Sequence, residues 1–354
     1  MRRSDYMDEM QAFSKVIAQR IEVTIRRRMN EIHFEKNVED DLRQSLDLIV
    51  SNRLRSPLQK PYIYFLCART LGVEIDERDY DCAAAVELLN IATYQENTAI
   101  DSKFRTLTHL QKSRQYICAA MTREWLNELL DRACVNSNSR TLRDIVSNIY
   151  STINAGQVLD LNLTVDELEL SEEEYLDRYL HRCELLSGVF NSKLGTIASL
   201  IHRNKGNPNL EAGLKAFGIG LQITNDLGDN IIFDSNNLSK RSYQLPFSDL
   251  RNGRITYPLF VFLRETKYNK RFIPINGKKL DGEFVADFAS FFIKSSAVQR
   301  TRKLVSSFYR KATKRFREIE RSKSRDKLIT LASILLWNKY YTEVRLRRAS
   351  SDAL

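Results

Sequence analysis

Three side chains past the midpoint of the sequence have the types and the spacing to hold a metal ion. In the segment 217–229, which reads FGIGLQITNDLGD, Asn225, Asp226 and Asp229 stand at positions i, i+1 and i+4. On a helix, Asn225 and Asp229 project from one face a turn apart, close enough to clamp a divalent cation between them. Mg²⁺ takes hard oxygen ligands, typically one or two carboxylates completed by substrate phosphates and water. An ordinary polar helix end has the same spacing, so the pattern by itself leaves both readings open.

The elements that would carry such a site read as helices. Apolar residues recur at three and four spacings over 10–28 and 40–54, giving two amphipathic helices. Thr164 with Glu167, and Ser171 with Glu174, have the spacing of a capping box, and a helix over 172–202 follows from the second. Gly206, Asn207 and Pro208 predict a turn, after which 211–232 reads as a long apolar helix. Gly213, Gly218 and Gly220 within it would let a neighbouring helix or a ligand come close to the backbone. The stretch 234–254 is rich in Ser and Asn and predicts a mobile loop; helical periodicity resumes at Thr256. Strand-like alternation of convincing length, internal repeats and low-complexity tracts are absent from the sequence. The expected fold is therefore all-α, a bundle of long helices with room for a cavity.

Composition agrees with one large domain spanning 1–354. Of the 354 residues 43% are apolar, enough for a full-sized core, and 12 Gly with 6 Pro leave few sharp turns. The net charge of +10 would suit nucleic acid, an anionic membrane surface or a phosphorylated small molecule. The basic groups at Arg26, Arg27 and Arg28, from Lys311 to Arg317, and at Arg345, Arg347 and Arg348 read as solvated helix faces. No nucleic-acid partner is expected from them. Five dispersed cysteines without a CxxC pair fit a reducing cytoplasm. With no secretory signal and no run near the ~18 apolar residues of a membrane span, a soluble protein with at most peripheral membrane contact is expected.

The run around Asn225 resembles the second aspartate-rich motif, FQxxDDxxD, of the trans-polyprenyl diphosphate synthases, the family of farnesyl and geranylgeranyl diphosphate synthases. Leu221 and Gln222 stand for its Phe and Gln, and Asn225, Asp226 and Asp229 for its three aspartates. Downstream, DLRNGRITYP over 249–258 is similar to the family's DxxxGKxTxP, with Gly253, Thr256 and Pro258 matching and Arg254 in place of lysine. Lys240 stands for the other loop lysine. Upstream, Lys60 and Pro61 open a stretch similar to RPxLxxxxxxxxG that ends on Gly72, but Ser56, Pro57, Leu58 and Gln59 replace the GGKRL before it. AAAVE over 83–87 resembles the start of the helix that carries the first aspartate-rich motif. Asn97, Thr98 and Asp101 then fall where DDxxD should be, with Arg105 near the paired arginines. Glu96 lies one residue out of register, about 100° away around the helix. The family's Lys-Thr pair falls on Arg182 and Cys183 when counted from Tyr175, and one residue later when counted from Gly195.

The resemblance is clearest over 54–258 and implies a single-domain isoprenoid synthase bundle around a central cavity. It implies a prenyl diphosphate as partner, Mg²⁺ held at Asn97, Asp101, Asn225, Asp226 and Asp229, and diphosphate held by Lys60, Arg105, Arg182, Lys240 and Arg254. Asp101, Asp226 and Gln222 would serve catalysis. Carboxylates are lost at Asn97, Thr98 and Asn225, so fewer or weaker metal sites are expected, because an amide oxygen brings no formal charge. Cations for the allylic diphosphate survive, whereas the grip for isopentenyl diphosphate around 56–60 is largely gone. A transferase or cyclase that hands the prenyl cation to a different acceptor would have this pattern; a standard chain-elongating synthase and a non-catalytic partner subunit are the alternatives. Small residues at Thr93 and Ala92, where the family closes its tunnel floor, imply a substrate of C15 or longer. A homodimer, or a heterodimer with a related subunit, is expected.

Overall fold

Apolar spacing at three and four residues becomes helix throughout the described chain. The computed structural model describes residues 3–32, 35–54, 58–101, 108–134, 138–230, 248–266, 272–273 and 282–334, and no strand occurs among them. The helices are α1 (Arg3–Glu31), α2 (Lys36–Leu54), α3 (Gln59–Thr70), α4 (Glu77–Asp101), α5 (His109–Ala133), α6 (Ser139–Asn162), α7 (Glu172–Cys183), α8 (Val189–Ile201), α9 (Pro208–Asp229), the short α10 (Ser248–Arg251), α11 (Tyr257–Glu265), α12 (Gly282–Lys294) and α13 (Ser296–Arg317). A last helix, α14, covers 323–334.

The chain divides into two compact units. The first consists of Met1–Ser151, Asn191–Glu211 and Phe316–Leu328. Its centre is α3, whose residues from Pro61 to Ala68 are all buried, and α4, where Ala83, Ala84 and Ala85 are small enough for neighbouring helices to come close. Arg20 of α1 ties α1 to the start of α4 through Asp81 at 2.6 Å. The start of α4 is capped by side chains that spacing alone did not single out: Asp76 Oδ1 accepts from the Arg78 amide at 2.9 Å, and Asp79 Oδ2 accepts from the Asp76 amide at 2.9 Å. Asp79 also accepts from Tyr64 at 2.6 Å and lies 2.8 Å from His202, which fixes the end of α8.

The second unit consists of Thr152–Phe190, Ala212–Arg315 and Ile329–Leu354. Tyr175, Tyr179, Phe217, Phe260, Phe262 and Tyr309 are fully buried there. The Tyr175 and Phe260 rings stack with centroids 3.8 Å apart. Gly220, expected to allow close approach, does so: a Cβ there would meet the Tyr309 ring at 3.0 Å.

Local expectations meet three corrections. Ser171 and Glu174 form the reciprocal capping box at α7, but Thr164 does not cap; it precedes a five-residue 3₁₀ turn, Val165–Glu169. The Glu167 amide bonds the Thr164 carbonyl at 3.1 Å, so the donor that a cap would use is already taken. Within the stretch read as a loop, Ser248–Arg251 is helical, while 231–247 lies outside the described residues. Finally, the helix expected over 172–202 is interrupted by a π turn at Glu184–Gly188.

Candidate functional site

The second-motif residues of α9 differ in burial. Asn225 is exposed, Asp229 half-buried and Asp226 buried. Asp226 Oδ2 accepts from the Tyr179 hydroxyl at 2.7 Å and is ion-paired with the Arg182 guanidinium. Its Oδ1 accepts from the Gln222 amide at 2.8 Å. Gln222, one turn back on α9, therefore braces Asp226.

Arg182 is buried between two carboxylates. It pairs with Asp226 on one side and with Asp160 on the other, where Nε reaches Asp160 Oδ1 at 2.7 Å. Burial works against its charge, but Asp160 and Asp226 outweigh it and hold the pKa well above the usual arginine value. Asp160 Oδ2 accepts from Arg254. The result is a buried quartet, Asp226–Arg182–Asp160–Arg254, whose two positive and two negative formal charges cancel.

Local folding explains how these side chains arrive. Ser171 starts α7 so that Tyr175, Tyr179 and Arg182 fall at i, i+4 and i+7 on one buried stripe. Gly253, with φ of +70°, ends α10 in the left-handed region, and the Arg254 amide closes the turn on the Asp249 carbonyl at 2.9 Å. The Ile255 amide then bonds the Leu163 carbonyl at 2.7 Å, which fixes Arg254 beside the end of α6. The π turn lies between the two residues from which the Lys-Thr pair is counted. A π turn accommodates one residue more than an α turn, and the two counts, from Tyr175 and from Gly195, differ by one residue across this segment. Arg182 and Cys183 are both buried at the end of α7, just before this turn.

Asp229 accepts from Ser248 Oγ at 2.9 Å and from the Asp249 amide at 3.0 Å, one bond on each carboxylate oxygen. Asp249 itself is buried, and its Oδ2 has no hydrogen-bond partner among the described residues. Burial, followed by the charges of Asp229, Asp226 and Asp160, pushes its pKa well above the usual carboxylate range.

In the first unit, Lys60 donates to Asn90 at 2.7 Å, and Asn90 donates at 3.0 Å to Glu87, which is fully buried. Asn97 is half-buried on α4, Thr98 returns its hydroxyl to the Tyr94 carbonyl at 2.8 Å, and Asp101 is buried at the end of the helix. Glu96 accepts from Tyr150, and burial raises its pKa against the lowering effect of that hydrogen bond. Arg105 and Lys240 lie outside the described residues.

These donors do not by themselves fit a magnesium ion. Among the described residues no group of three or more His, Cys, Asp or Glu side chains is arranged to hold a metal. Asp226, assigned to the metal from sequence, is committed to Arg182, Tyr179 and Gln222. Arg182 and Arg254, assigned to diphosphate, are committed to Asp160. Asp160, Tyr179 and Asp249 were not singled out from sequence. For Asp160 a signal existed: it continues the buried stripe Leu142, Val146, Ile149, Ile153 of α6, and a carboxylate at a core position needs a partner.

The polyprenyl synthetase family model matches residues 113–290. No curated protein matches the sequence significantly. Among solved structures, geranylgeranyl pyrophosphate synthetase from Pyrococcus horikoshii is 18% identical, with 94% of this chain and 98% of that one covered at a TM-score of 0.71. A polyprenyl synthase from Caulobacter crescentus, complexed with calcium and isoprenyl diphosphate, is 18% identical over 93% of this chain and 97% of that one, with a TM-score of 0.71. Heptaprenyl diphosphate synthase from Staphylococcus aureus is 16% identical over 92% and 97%, with a TM-score of 0.70. At these identities the structural likeness establishes an isoprenoid synthase fold, and the family model adds the lineage. Half of the sequence fits that model, and by this match the chain belongs to the polyprenyl synthetase family and is an enzyme of the prenyl-transferase class.

Proposed function

We propose that the protein ionises an allylic prenyl diphosphate of C15 or longer and passes the prenyl group to an acceptor other than isopentenyl diphosphate. One observation carries the choice of acceptor. The family's GGKRL is replaced at 56–59, and Lys60, the cation that remains next to it, donates to Asn90 above the buried Glu87. A lysine used in this way is drawn toward an internal acid instead of a second diphosphate. Calorimetry tests the point: farnesyl diphosphate should bind saturably and isopentenyl diphosphate should not. Tight isopentenyl diphosphate binding would return the standard chain-elongating reading.

A divalent ion, Mg²⁺ by the family's chemistry, is proposed to bind together with the diphosphate, because the protein's own donors are few and already bonded. Asn97 and Asn225 are the altered positions not buried in the core. Changing both to Asp adds two formal charges where an amide now stands, and should raise pyrophosphate release from farnesyl diphosphate by about tenfold or more. Unchanged release and unchanged metal affinity would show that these positions do not limit ionisation.

Chain length is proposed to be set beside Ala92, which is fully buried on α4, one residue before Thr93. Ala92→Phe should shift preference from geranylgeranyl and farnesyl toward geranyl diphosphate, since each methylene excluded from burial costs about 0.8 kcal/mol. Competition assays read the ratio; a wild type that already prefers the C10 substrate, or a ratio unmoved by the substitution, removes Ala92 from the tunnel.

The chain is read as a single polyprenyl-synthase-like domain in the cytoplasm, working as a homodimer or beside a related subunit. Coverage of more than nine-tenths of each compared chain supports the single-domain reading. Leu110 and Ile117, 58% and 53% exposed seven residues apart on α5, offer apolar surface for association. No helix among the described residues is long and apolar enough to cross a membrane.

A further inference from the structure

Asp160 grips two arginines from different parts of the second unit with a single carboxylate. One oxygen takes Arg182 and the other takes Arg254, with the Gln157 amide 3.4 Å from the latter oxygen. The side chains of Arg182, Asp160 and Arg254 are only 4%, 3% and 6% exposed. Guanidiniums converging on a shared anion make the arrangement that recognises phosphate oxygens, with fixed forks and charge-assisted bonds. Here the anion is part of the chain.

We propose that Asp160 is an internal competitor for the anionic ligand: its carboxylate holds Arg182 and Arg254 in the substrate-free protein, and a diphosphate reaches them only by displacing it. Without Asp160, Arg182 and Arg254 would lose the carboxylate they share, and the site would become more favourable to an incoming anion. With Asp160 in place the two guanidiniums are already engaged, and the affinity for diphosphate is held down until other contacts of the substrate help to open the quartet. Opening costs the desolvated Asp160–arginine contacts, and the diphosphate, which carries more charge than a carboxylate, restores them. The Arg182–Asp226 pair need not break in this exchange, because Asp226 uses a different nitrogen of the guanidinium, Nη1, from those that reach Asp160. The inference rests on the prenyl-diphosphate reading and adds a regulation to it.

The test uses inorganic pyrophosphate with the full chain in the presence of a chelator, so that the arginines are read without metal. Asp160→Asn should bind pyrophosphate at least about tenfold more tightly than the wild type, as expected when a competing buried charge is removed. Asp160→Ala provides a second readout that does not depend on the stability of the first variant. Formate, included from purification onward, can occupy the place of the missing carboxylate; it should compete with pyrophosphate in this variant and leave the wild type unaffected. Pyrophosphate affinity equal to or below that of the wild type in Asp160→Asn, or formate without effect on Asp160→Ala, would overturn the competitor role. The two readings fail separately. A gain in Asp160→Asn with no turnover of farnesyl diphosphate by the wild type sinks the proposed activity alone, and turnover without the gain sinks the competitor alone.

Discussion

Replacing Arg182 by alanine should lower the unfolding free energy by about 3–5 kcal/mol, the range for removing one partner of a buried ion pair. The substitution leaves Asp160 and Asp226 both without the cation between them, in a site where the Arg182 side chain is 4% exposed. Tyr179 and Gln222 still donate to Asp226, and Arg254 still pairs with Asp160, so the loss falls short of two bare charges. Arg182→Lys should lose less, because an ammonium keeps the charge but cannot fork to two carboxylates. Urea titrations at pH 7 measure both substitutions; a loss below about 1 kcal/mol for Arg182→Ala would place the pair in the class of weak surface bridges.

Asp249→Asn should stabilise the protein at neutral pH, an unusual direction for a buried substitution. The native pKa of Asp249 lies well above the unfolded value because burial, and then Asp229, Asp226 and Asp160, disfavour its charge. The native state therefore binds more protons than the unfolded state, and stability falls as pH rises. The contribution is fully present below the unfolded carboxylate pKa and is lost as pH climbs through the folded one. Asparagine is neutral throughout, so its advantage should be absent near pH 4, grow with pH and level off. A gain at pH 7 is the expected sign, because asparagine removes the buried charge and not the polar group. Melting temperatures of both proteins across pH 4 to 8 provide the comparison, and parallel profiles would contradict it.

Much of the fold was legible because helices announce themselves by period. The stripes of α1 and α2, the Ser171–Glu174 box and the turn before α9 each follow from local spacing, and the Asn207 side chain caps α9 with 3.0 Å bonds to the amides of Asn209 and Leu210. The π turn at Glu184–Gly188 was not read from the sequence, because one extra residue in a helical turn leaves the apolar spacing on either side intact. The short α10 was hidden in a polar stretch, since what orders it is the remote carboxylate of Asp229. The same limit applies to the site. A motif gives the identity of Asp226 and Arg182, but not which of several opposite charges each one meets. Asp160, 66 residues from Asp226 in sequence, decides that, and only its place on a core stripe hinted at it.

The most direct test of the account is pyrophosphate release by the wild-type chain from farnesyl diphosphate with Mg²⁺, measured with and without isopentenyl diphosphate and followed by product analysis. The account predicts release when isopentenyl diphosphate is absent, a rate little changed when it is added, and no chain-extended product. Release that requires isopentenyl diphosphate and yields a longer prenyl diphosphate, or no release under either condition, would contradict it.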